Sequence, residues 1–155
     1  AALRVDPDSP HLNNNFAWFL ANCPDPRYSD PRRAVELAEH AVAAVPDEGT
    51  FWNTLGVSHY RAGNWHAAVD ALEQSSQYFG DPGIGFNAVF LAMAHWQLGH
   101  REEATRQYDA AVRWMRANDV ADEELLRFRR EAAQLLGRTE AEHDGPTEPE
   151  SPPRA

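Results

Sequence analysis

Two stretches of this chain repeat one another at a constant spacing. Aligned, GVSHYRAGNWHAAVDAL from Gly56 and AMAHWQLGHREEATRQY from Ala92 place Gly56 on Ala92, His59 on His95 and Tyr60 on Trp96. The same register puts Gly63 on Gly99, Ala68 on Ala104 and Leu72 on Tyr108, an offset of 36 throughout. A weaker echo lies upstream, where Ala34, Ala38, Ala41 and Pro46 match Ala68, Leu72, Ser75 and Gly80 at an offset of 34. A period of this length is one supersecondary unit, too small to bury its own apolar face, so the units must stack on one another.

The local pattern says what the unit is. PHLNNNFAWFLAN (10–22) carries Leu12, Phe16, Phe19 and Leu20 at helical spacing behind Ser9-Pro10, an N-cap followed by proline at the first helical position. PRRAVELAEHAVAAV starts in the same way after Asp30, lines one side with Val35, Leu37, Ala38, Ala41 and Val42, and stops at Pro46. Two further pairs of helices are expected, TFWNTLGVSHYRA with WHAAVDALEQSSQYF and FNAVFLAMAHWQL with REEATRQYDAAVRWMRA, hinged at Gly63-Asn64 and Gly99-His100. No segment alternates with the period of two that a half-buried strand needs. The chain therefore reads as all-α, a series of helical hairpins.

These residues resemble the tetratricopeptide repeat family, whose pattern is W-x2-L-G-x2-Y, then A-x3-F, then P. The middle repeat has Trp52-x2-Leu55-Gly56-x2-His59-Tyr60 and Ala68-x3-Leu72; the third keeps Leu91-Ala92, Trp96, Gly99, Ala104-x3-Tyr108 and Ala111, with Ala88 in place of the tryptophan. The first keeps Phe16-Ala17, Ala34, Ala41 and Pro46, with about five extra residues between its helices. The resemblance implies a right-handed superhelical stack of three hairpins (about 10–46, 49–82 and 85–118) closed by an amphipathic capping helix at about 121–136. Over residues 12–137 the wording is similar to the repeat tails of large bacterial signalling proteins, some carrying Ser/Thr kinase or β-propeller domains. Residues 1–9 read as a linker. Residues 138–155, with four prolines, five acids and no aliphatic side chain larger than Ala, read as a disordered tail.

Composition narrows the function. Asp and Glu number 24 against 14 basic residues, a formal net charge of −10, which repels phosphate-rich partners, so nucleic acid is not expected. Every basic residue is Arg, which removes phosphate-loop and Schiff-base lysines. No apolar run reaches the roughly 18–20 residues of a membrane-spanning helix. One cysteine, Cys23, fits a reducing compartment, and a cytoplasmic setting is expected. The chain begins at Ala1 rather than Met, which leaves room for a domain upstream.

The residues that invite chemistry have simpler readings. None of the seven histidines forms an HxxxH or HExxH spacing, and His59 and His95 share a repeat position that favours packing. Cys23 has no activating neighbour at a recognisable spacing. Gly80 to Gly85 is glycine-rich but follows a helix rather than a strand and lacks a lysine. Neither a metal, a cofactor nor a catalytic residue is expected, and an enzyme built around His59 and His95 is the least favoured reading.

In stacks of this kind the first helix of each hairpin lines a concave groove. Across these three helices Arg61 is the only formally charged residue. Helical spacing points His11, Asn14, Trp18 and Asn22 into the groove from the first repeat, Thr50, Asn53, Val57, Tyr60 and Arg61 from the second, and Phe86, Val89, Met93, Trp96 and Gln97 from the third. The best candidates for contact are Asn14, Trp18, Asn53, Val57, Tyr60, Arg61, Phe86, Met93 and Trp96. Such a surface suits a low-charge peptide or a neighbouring domain, and the chain reads as a protein-interaction scaffold. The alternative is a structural spacer or self-association module whose groove is filled by a flanking domain or a second copy.

Overall fold

The computed structural model of the protein describes residues 6, 8–79 and 84–139. Among them are seven helices and no strand: α1 (Pro10–Asn22), α2 (Pro31–Ala44), α3 (Gly49–Arg61), α4 (Trp65–Phe79), α5 (Gly85–Gln97), α6 (Arg101–Ala117) and α7 (Glu123–Leu136). Most of the expected linker, the turn at 80–83 and the expected tail beyond residue 139 lie outside the described residues.

Local chemistry sets the helix ends. Proline opens α1 and α2, where a missing N–H does no harm, and the Asp30 and Asp122 carboxylates accept from the N–H groups of Arg33 (3.1 Å) and Leu125 (2.8 Å). The two repeated hairpin turns are the same structure. Asn64 N–H donates to His59 O and Gly63 N–H to Tyr60 O; His100 N–H donates to His95 O and Gly99 N–H to Trp96 O. Gly63 and Gly99 both sit at φ 82°, the left-handed conformation that ends a helix this way and that glycine adopts without strain. The next turn repeats the scheme with an aspartate: Asp119 takes φ 53°, while Val120 N–H reaches Met115 O.

Consecutive helices pack as hairpins, α1 on α2, α3 on α4 and α5 on α6, and each hairpin packs on the next through α2 with α3 and α4 with α5. Small residues allow the close approach. Ala68, Ala92 and Ala104 have no exposed surface, and a methyl group at Gly56 would fall 2.5 Å from Leu72 Cγ and 3.1 Å from the Leu72 backbone nitrogen. The core divides at α3: Phe51 and Leu55 pack with α1 and α2, while Val57 packs with Leu72 and the helices that follow.

A buried polar chain ties α3, α4 and α5 together. Asn53 Nδ2 donates to Asn87 Oδ1 (2.7 Å), Asn87 Nδ2 donates to the hydroxyls of Ser75 (3.1 Å) and Ser76 (3.3 Å), and Ser75 Oγ donates to Gly49 O (2.8 Å). Asn87 is only 1% exposed yet fully partnered, so the network fixes the relative position of three helices without an unsatisfied group.

Two features of the packing go beyond the sequence pattern. Leu12, Phe16 and Phe19, which share a helical spacing with the buried Leu20, are 43%, 51% and 47% exposed, while Asn14, Ala17, Ala21 and Asn22 are buried. α1 lies close along α2 and α3, with Trp18 reaching α5 and α7 from its other side, so one apolar flank is left partly exposed among the described residues. The helix expected to cap the last hairpin packs on α5 and α6 and also reaches beyond them. α7 lies along α5 far more than over α6, and its side chains reach α1 and α3.

Because Asp119 holds a left-handed conformation that costs a side-chain-bearing residue about 1 kcal/mol, Asp119→Gly is expected to stabilise the fold by up to that amount. Thermal unfolding should show Tm rising by a few degrees. A fall in Tm would mean the aspartate contributes more through its side chain than its backbone loses.

Candidate functional site

The face made by α1, α3 and α5 is bent inward far enough for the first and third hairpins to touch. Trp18 of α1 meets Phe86 of α5 edge to face, ring centroids 5.7 Å apart. α7 lies across this face and inserts Phe128, which is fully buried and makes edge contacts with Trp18 (6.1 Å), Phe86 (6.0 Å) and Phe90 (4.9 Å). One aromatic side chain thus links helices from the first and last hairpins.

Arg61, the lone charge of the face, is matched by α7. Its guanidinium pairs with Glu131 through both terminal nitrogens, Nη2 to Oε2 at 2.9 Å, and its Nε donates to Asn22 Oδ1 at 3.3 Å. The same group lies 5.3–5.8 Å from the ring centroids of Phe90, Phe128 and Tyr60. A charge taken this far out of water needs a bidentate carboxylate, and α7 supplies it. Seven residues before Glu131, on the same side of the helix, Glu124 accepts the Trp18 indole N–H at 3.0 Å.

α7 covers only part of the face. Toward the N-terminal ends of α1, α3 and α5 a cavity of about 580 Å³ remains, walled by Asn14, Asn15 and Trp18 of α1, Thr50, Asn53 and Thr54 of α3, Phe86 and Asn87 of α5, with Phe79, Ile84 and Glu124 completing it. Asn14 is 7% exposed, its Nδ2 reaches only Asn15 Oδ1 at 3.5 Å, and its Oδ1 is shut off from water with no donor. A buried amide oxygen in that state costs about 1–3 kcal/mol.

The nine sequence candidates therefore part company. Asn14, Trp18, Asn53 and Phe86 converge on the cavity, as does Thr50. Tyr60 and Arg61 lie at the other end, where Arg61 is engaged by α7 and burial, with a hydrogen bond to Gln97 opposing it, pushes the Tyr60 phenol up. Val57 and Met93 are not on the face: both are fully buried, as is Val89. Trp96 is half-buried beneath the Arg101 guanidinium, 3.7 Å from its ring centroid, and is absent from the cavity wall. His11 turns its ring edge to Phe51, and Asn22 is buried among Arg61, Arg127 and Trp18 O. Sequence reasoning missed Asn15, Thr54, Phe79, Ile84, Asn87 and the whole contribution of α7. An unpartnered arginine on an otherwise uncharged face, with acids at 124 and 131 flanking Phe128, was the signal that could have found the last.

His59 and His95 occupy equivalent places at the hairpin turns: His59 Nδ1 contacts Asn64 Nδ2 (3.3 Å) and His95 Nδ1 contacts His100 Nδ1 (3.2 Å). Among the described residues no group of three or more His, Cys, Asp or Glu is placed to hold a metal ion, and no helix is long and apolar enough to cross a membrane. Compared with protein-family models and with curated proteins, the chain matches none.

Burial holds both histidines below the ordinary value of 6.5, with His100 adding to the effect at His95 while Glu103 and Glu73 oppose it there and Glu39 opposes it at His59. A folded-state pKa below the unfolded one means that the unfolded chain takes up protons before the native state does as pH falls past about 6.5. Stability from these groups is present above about pH 6.5 and lost on acidification. Tm measured at about pH 7.5 and about pH 5.5 should fall in the wild type and fall less in the His59→Gln, His95→Gln double variant. Equal falls would remove the histidines as the cause.

Proposed function

We propose that the chain is a protein-interaction module of the tetratricopeptide type, a superhelical stack that holds a peptide segment of low overall charge at the open end of the α1, α3 and α5 face. One observation carries the reading: Asn14, Trp18, Asn53 and Phe86, four residues from three repeats, wall a single cavity large enough for one or two side chains and their backbone. Side-chain amides beside aromatic rings suit a peptide, since the amides satisfy backbone groups while the rings take up apolar surface. The resemblance to repeat tails of bacterial signalling proteins supports reading such a module as a scaffold within a larger polypeptide.

A second reading is favoured by α7. A helix of the same chain already fills the Arg61 end of the face, so the module is also suited to be a spacer whose principal ligand is its own C-terminal helix. The two readings differ in whether the remaining cavity takes anything up.

Selection from a random-peptide display library, followed by calorimetric titration, tests this directly. Thr50 is exposed on the cavity wall, and Thr50→Trp would fill the opening without disturbing the core. Selected peptides should lose at least about tenfold in affinity, near 1.4 kcal/mol, with the thermal transition unchanged. Undiminished binding would move the site away from this face, and failure to select any peptide would leave the spacer.

A further inference from the structure

Resting on that reading, we infer that the cavity is a pocket for a cationic, hydrogen-bond-donating side chain, an arginine or lysine anchoring an otherwise low-charge peptide. Its polar wall mixes amides and hydroxyls with two acceptors that call for a donor, Asn14 Oδ1 and the Glu124 carboxylate. Asn53 commits one amide N–H inward to Asn87 Oδ1 (2.7 Å), which leaves its carbonyl oxygen among the groups it can offer. Asn14 Oδ1 is buried and without a donor, and the terminal torsion of asparagine is soft, so rotation of the amide as a ligand enters would present that oxygen to the cavity its side chain walls. Among the described residues Glu124 supplies the only formal charge of the lining: Oε1 accepts from Trp18, while Oε2 is in a long ion pair with Arg127 at 3.8 Å and takes no hydrogen bond from it.

Among the described residues no Arg lies on the wall, and the chain has no Lys. An incoming carboxylate would meet the like charge of Glu124, and an uncharged apolar side chain would leave the Asn14 oxygen as it is. A guanidinium or ammonium instead donates to Asn14, Asn53 and Glu124 while its alkyl stem lies along Trp18 and Phe86. The net charge of −10 attracts such a group from a distance. The unpartnered buried oxygen and the missing basic lining point to the same ligand chemistry independently.

The test is an NMR titration of the intact chain with three capped pentapeptides, alanine throughout except for a central Arg, Gln or Glu, read on the side-chain amides of Asn14 and Asn53 and the indole N–H of Trp18. The Arg peptide should shift these resonances saturably and bind at least tenfold more tightly than the Gln peptide, with no saturable shift from the Glu peptide. Glu124→Gln, which keeps an acceptor for Trp18, should weaken the Arg peptide at least fivefold and leave the Gln peptide unchanged; Asn14→Leu should weaken the Arg peptide similarly. Equal binding of the Arg and Gln peptides would overturn the inference while leaving peptide binding at the cavity intact. Tighter binding of the Glu peptide would overturn it by placing donors where acceptors are argued. No shift with any of the three would overturn it as well, and library peptides blocked by Thr50→Trp would then still support the broader function.

Discussion

Phe128 is the contact on which the shape of the working face depends. Its ring is wedged among Trp18, Phe86 and Phe90, so α7 is bound at once to the first and the third hairpins. Removing a fully buried phenylalanine of this kind typically forfeits about 3–5 kcal/mol. Around it, polar pairing does the orienting: Glu131 on Arg61, Glu124 on the Trp18 indole, and Arg127 Nη2 on the Asn22 carbonyl. Apolar burial supplies the attraction and these bonds set the register along the helix.

The consequence is a face divided in two. At the Arg61 end the chain has used its own helix to satisfy a charge that could not otherwise be desolvated. At the other end the helix begins too late to cover α1, α3 and α5, and a cavity is left whose wall includes an amide oxygen with no partner. The polar chain from Asn53 through Asn87 to Ser75 holds that end rigid, so the cavity is a preformed shape rather than slack between helices. α7 also changes the chemistry of the face. The three first helices bring one positive charge, and α7 adds two carboxylates, Glu131 on that charge and Glu124 on the cavity wall, to helices that themselves carry no acid.

Much of the fold was legible because punctuation and packing agree. Pro10, Pro31, Gly63 and Gly99 mark helix ends with backbone conformations that few other residues adopt, and the recurrence of Ala68 and Ala104 marks close contacts. The candidate site was half legible. Helical spacing gives the angle of a side chain about its own axis, which sufficed for Asn14, Trp18, Asn53 and Phe86. It does not say how far neighbouring helices close over that angle, and so Val57 and Met93, at the edge of the expected stripe, are core. The stripe of α7 showed that it buries one face but not against which neighbour. Leu12, Phe16 and Phe19 show the converse, an apolar stripe left partly exposed among the described residues.

Everything said of the site requires that α7 lie across α1 and α5, with Trp18 between them. Nuclear Overhauser contacts from the Trp18 indole protons test this most directly, because residues 18, 86 and 128 are remote in sequence and their ring centroids are 5.7 and 6.1 Å from that of Trp18. The expected result is strong cross-peaks from Trp18 to the ring protons of both Phe86 and Phe128. A Trp18 whose contacts stop at α1 to α3, with Phe128 reporting only on α5 and α6, would contradict it and return α7 to the end of the stack.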